Sequence, residues 1–136
     1  MKEINELSLP ITEAEVKKGV EDRLTIAQNQ GQLMFLRLQS GSLLVKYEER
    51  FNKVNLCPEG TADFVIFQGV KHELCFGVTP FDRCKPLPAC RVTFLEIKSS
   101  KGQQSEEQRI FEVEVGKQNC RYFLVRNADE LEGILS

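Results

Sequence analysis

The chain predicts a single α/β domain, a sheet flanked by helices, on three observations. Apolar periodicity alternates along it to give helix, three or more strands, helix, strand, helix. Its 136 residues, 41% of them hydrophobic, suffice for one domain with a core and are too few for two ordinary ones. No repeat or low-complexity segment interrupts the order.

The first helix enters at Thr12, whose hydroxyl can cap it, with Glu13 and Glu15 in the first turn where the helix dipole favours acids. Val16, Val20, Leu24 and Ala27 form one apolar stripe, and the helix runs to about Gln30, where Gly31 ends it. Leu33 to Gln39 has the composition of a strand closed by Ser40-Gly41-Ser42, and Leu43 to Tyr47 is its expected hairpin partner. Residues 48–60 are polar and end in the turn Pro58-Glu59-Gly60, which delivers the chain into a strand over 62–68 that carries Asp63. Residues 69–90 look like an insertion: Gly69, Gly77, Pro80, Pro86 and Pro88 predict an edge loop, with room for a short strand at Leu74 to Val78. Arg91 to Ser99 is the best central strand. Ser105-Glu106-Glu107-Gln108 matches a capping box that opens a helix to about Lys117. Cys120 to Val125 then predicts a buried strand, and Asn127 to Leu135 a short closing helix.

A formal charge of −2 and a pI near 5.6 argue against a protein that coats nucleic acid by bulk electrostatics, while leaving room for a local basic face. The sequence has neither a long apolar span nor a cationic, apolar leader, so the expectation is a cytoplasmic protein with no membrane partner. Five cysteines without a CxxC pair fit reduced structural thiols better than a disulfide framework. Cys75, Cys84, Cys90 and His72 are the one cluster that could hold structural zinc. Cys120 or Cys57 with His72 lacks the elbow or triad context of a nucleophilic hydrolase.

The chemistry concentrates in Gly60-Thr61-Ala62-Asp63 and in Arg91-Val92-Thr93-Phe94-Leu95-Glu96-Ile97-Lys98-Ser99. Both segments are apolar enough for buried strands, yet each carries charge that a core excludes unless a shared polar site receives it. Residues two apart on a strand share a face, so Glu96 and Lys98 project together while Ile97 turns into the core. If the strand bearing Asp63 lies alongside, two carboxylates and an ammonium meet. Two hard oxygen donors, with a backbone carbonyl and water, suit Mg²⁺ or Mn²⁺ better than zinc. The bland alternative is an exposed edge-strand pair at Glu96 and Lys98, with Asp63 merely ending a turn.

Taken in order with Lys101-Gly102, Ser105-Glu106-Glu107-Gln108 and Arg121-Tyr122-Phe123-Leu124-Val125, these segments resemble the VRR-NUC nucleases, a branch of the PD-(D/E)XK superfamily, over roughly residues 12–135. The resemblance implies a restriction-endonuclease-like core, a central mixed β-sheet flanked by helices. It implies a Mg²⁺- or Mn²⁺-dependent deoxyribonuclease, with Asp63 and Glu96 as metal-binding acids, the Ile97 carbonyl as a further ligand and Lys98 as the catalytic lysine. It places Gln108 at the active site and an acid of the first helix near the metal, Glu13 fitting better than Glu15. Small members of this kind imply a homodimer acting on branched DNA such as a Holliday junction. One departure stands out: Glu96 follows Asp63 by 33 positions (96 − 63), where the family uses a hairpin's worth. The valine-arginine-arginine signature is not obvious either, although Leu124-Val125-Arg126 occupies a comparable late position.

Lys17, Lys18 and Lys101 are the candidate nucleic-acid contacts, and Arg23, Lys46, Arg50 and Lys53 extend the set, each with an ordinary solvated surface as its alternative. A non-catalytic nucleic-acid or protein interaction module on a nuclease-like core is the competing function. Intact Asp63, Glu96 and Lys98 weigh against it, because a binding-only protein has no use for carboxylates that repel phosphate.

Overall fold

The computed structural model describes residues 11–73 and 86–136. It is a mixed α/β fold: a four-stranded sheet flanked by helices, with a separate two-stranded ribbon. Helix α1 (Glu13–Asn29) starts on a complete capping box, Thr12 Oγ1 accepting from Glu15 N–H while the Glu15 carboxylate accepts from Thr12 N–H. Its stripe of Val16, Val20, Leu24 and Ala27 is buried as the periodicity predicts. Gly31 leaves the helix at φ 74, a left-handed conformation that glycine adopts without cost.

The main sheet has the order β1 (Met34–Arg37), β4 (Phe64–Glu73), β5 (Pro86–Ile97), β6 (Arg121–Val125). The first two pairings are antiparallel and β5 with β6 is parallel, joined across α2 (Glu106–Lys117). A 3₁₀ turn (Ala128–Glu130) and α3 (Leu131–Leu135) close the chain. Phe64, Ile66, Leu95, Ile97 and Val125 form one core with the α1 stripe and with Leu131 and Ile134 of α3. Strand alternation therefore puts Glu96 on the opposite face, under α2, where Phe94 meets Phe111 edge-on at 5.1 Å between ring centroids.

Two expectations are corrected. Leu43 to Tyr47 does not pair with the first strand, whose partner is β4. It forms β2 (Ser42–Tyr47) and pairs with β3 (Arg50–Asn55), inside the polar stretch 48–60, through a turn with Glu48 and Glu49 at φ 46 and 64. The supposed insertion also begins and ends as strand: β4 and β5 pair from Phe64↔Leu95 out to Glu73↔Pro86. Pro86 and Pro88 are tolerated because β6 pairs only with Thr93–Ile97, leaving that stretch of β5 with a free edge among the described residues. The 33-position gap is thus one long antiparallel hairpin around residues 74–85. The expected strand at Leu74 to Val78, Cys75 and Cys84 lie outside the described residues, as does the side chain of His72, while Cys57, Cys90 and Cys120 are free thiols.

Gly60 fixes how the loop before Asp63 meets α2. It has φ 87, and a Cβ there would stand 2.5 Å from the backbone carbon and oxygen of Glu107. Gly60→Ala is expected to cost about 2 kcal/mol or more, from the clash and the positive φ together, read as a fall in the denaturant midpoint at unchanged slope.

Candidate metal and phosphodiester site

Asp63 sits at the mouth of β4 against the end of β5. Its N–H donates to the Leu95 carbonyl at 2.9 Å, and its Oδ2 accepts from Ile97 N–H at 2.7 Å. Backbone and side chain together lock it beside Glu96. The expected neighbours do converge: Lys98 Nζ is 3.6 Å from Glu96 Oε1, and Ile97 is fully buried on the other face.

Glu96 is 3% exposed. Burial, foremost, and the neighbouring Asp63 push its carboxyl up to about 7, with Glu13 adding a smaller push and Lys98 opposing. Its Oε1 accepts from Gln108 Nε2 at 2.7 Å, while Gln108 Oε1 accepts from Ser105 N–H at 2.8 Å. One side chain therefore both closes the capping box and holds the acid. The box fixes the amide so that its NH₂ faces Glu96.

The other oxygen, Glu96 Oε2, is buried with no hydrogen-bond partner. An orphaned buried carboxylate oxygen is costly, and a hydrogen-bond donor or a cation would satisfy it. Among the described residues no group of three or more His, Cys, Asp or Glu side chains gathers to hold a metal ion. A cation here would rest on Asp63 and Glu96 supplemented by backbone oxygen and water, a donor set that fits Mg²⁺ or Mn²⁺. The Ile97 carbonyl is available for this, because its N–H and C=O both face the β4 side where Asp63 lies.

Two cations bracket the acids. Lys98 was expected; Lys17 was expected only as a DNA contact, yet its Nζ is 2.8 Å from Asp63 Oδ1. No motif signals this: Lys17 is one helical turn past Glu13, beside the buried Val16. The two first-helix acids differ in their surroundings. Glu15 is engaged by Thr12, while the exposed Glu13 is the one whose charge acts on Glu96. Lys18 and Lys101 are exposed, Lys101 in the turn after Lys98. That turn is braced by Arg126, whose Nη1 donates to the carbonyls of Ser99 and Gly102. Tyr122, also unforeseen, accepts from Gln104 Nε2 at 3.1 Å, and burial, foremost, raises its hydroxyl to about 12.

No known protein family, curated protein or solved structure matches this chain. Among the described residues no helix is long and apolar enough to cross a membrane.

Proposed function

We propose that the protein is a metal-dependent DNA endonuclease that hydrolyses phosphodiester bonds, acting as a homodimer on branched DNA such as a Holliday junction. The observation that carries the reading is the buried Glu96, with one oxygen unpartnered, locked beside Asp63 and Lys98 at the end of adjacent strands. The helix-flanked mixed sheet and the ordered motifs support the restriction-endonuclease-like core of the VRR-NUC nucleases.

A bound Mg²⁺ or Mn²⁺ supplies a lowered pKa for attacking water and neutralises phosphate charge. Asp63, Glu96 and the Ile97 carbonyl would hold it, with Glu13 in reach as an outer acid. Lys98 orients the water and meets the charge that develops on the phosphate oxygens. Gln108 keeps Glu96 aimed. Lys17 competes with a cation for Asp63, and Lys18 and Lys101 flank the site as phosphate contacts.

Lys17→Met is accordingly expected to tighten Mn²⁺ binding, measured by calorimetric titration, about two- to fivefold, the worth of a partly exposed ion pair. Weaker binding would show that Lys17 instead braces Asp63. The function itself is tested with a small diester, bis(p-nitrophenyl) phosphate. Hydrolysis that requires Mn²⁺ and vanishes in Asp63→Ala supports the reading. A folded protein that hydrolyses none sinks it.

A further inference from the structure

We propose that the β2–β3 ribbon is an arm that holds duplex DNA against the Asp63–Glu96 site, an inference that rests on the phosphodiester reading above. All of its strand residues are exposed, Leu44 by 72%, Tyr47 by 68% and Phe51 by 69%. A lone two-stranded hairpin is marginal in water, and the described residues leave the strand side chains of this one exposed, open to a bound partner.

The chemistry of the ribbon selects that partner. Its two strands carry Lys46, Arg50 and Lys53 and no acid, in a chain of formal charge −2. The register puts Leu44, Lys46, Phe51 and Lys53 on one face, with Lys46 Nζ 6.0 Å from the Phe51 ring centroid. Buried protein interfaces disfavour lysine, whereas an acid-free cationic stem attracts a phosphate backbone. Exposed rings among the cations add contact area that needs no particular sequence. The acids Glu48 and Glu49 are confined to the tip.

Shape and position agree with this. A two-stranded ribbon is one of the elements that the major groove admits. The root of the ribbon is tied to the site: Leu38 N–H donates to the Asp63 carbonyl at 2.8 Å, and Cys57 N–H to the Gln39 carbonyl at 3.0 Å. From there, strands of six residues reach roughly 20 Å outward. A duplex held along them is anchored, at the root, next to the backbone of Asp63.

The test compares the native protein with Lys46→Gln/Arg50→Gln/Lys53→Gln by fluorescence anisotropy on a short labelled duplex, in EDTA, across a salt series. The expected result is binding weaker by about tenfold to a thousandfold, with the slope of log K against log salt shallower by about 2 to 3. Circular dichroism should give the variant the native melting temperature, because the replaced side chains are solvent-exposed. Unchanged affinity and slope overturn the proposal. So does a native dimer that dissociates in the variant during sedimentation while DNA affinity holds, which would assign the ribbon to a second copy of the chain. The small-diester assay on native protein separates the two ideas: arm-dependent DNA binding without diester hydrolysis keeps the arm and removes the nuclease.

Discussion

Glu96→Gln is expected to abolish metal-dependent cleavage and, in metal-free protein, to raise stability at about pH 8 by up to about 3 kcal/mol. In the unfolded chain the carboxyl releases its proton near 4.5; in the fold, burial foremost and Asp63 next hold it to about 7. Between those values the folded state binds more protons than the unfolded one. The stability of the native protein therefore falls as pH rises through that window and levels off above it. The charge-neutral isostere removes this dependence while still accepting from Gln108. Denaturant midpoints of both proteins at about pH 5 and about pH 8, in EDTA, check it: the gap should be small at the lower pH and near its full size at the higher. Equal midpoints at both would mean that Glu96 is not held in a charge-averse site. Adding Mn²⁺ should stabilise the native protein and not the variant, since a ligand that binds only the folded state shifts its stability by mass action.

Lys98→Ala is expected to lower cleavage by about a hundred- to a thousandfold, the usual loss for one pre-positioned group that meets transition-state charge. DNA binding should change little. The Lys98 ammonium partly offsets the raised affinity of Glu96 for its proton, so the variant should also hold that proton to higher pH. A structural lysine would behave otherwise: the variant would unfold, or would lose binding and cleavage together. Lys98→Arg discriminates further, because it keeps the charge and changes its placement.

Local signals with a helical period or a cap carried over directly from sequence to structure. The stripe Val16, Val20, Leu24, Ala27 is buried, and the boxes at Thr12 and Ser105 form. The adjacency of Asp63 to Glu96 and Lys98 was legible because strand period fixes a shared face and a turn precedes Asp63. The β2–β3 hairpin was not: neither strand has a buried face to give alternation, and its turn carries Glu48-Glu49 where Asn-Gly would have announced it. The length of β4 and β5 was hidden by Pro86 and Pro88, which read as breakers although they occupy a free edge. Lys17 and Arg126 act through contacts 46 and 24 or more residues away, which no local pattern encodes.

The nuclease reading stands or falls on cleavage of a labelled panel, comprising duplex, flap, single strand and four-way junction, with Mg²⁺ or Mn²⁺, beside an Asp63→Ala control. Cutting is expected to require the metal, to be absent from the control and to be strongest on the branched substrates. Folded native protein that cuts none of them and binds no Mn²⁺ would overturn this reading and leave a non-catalytic binding module.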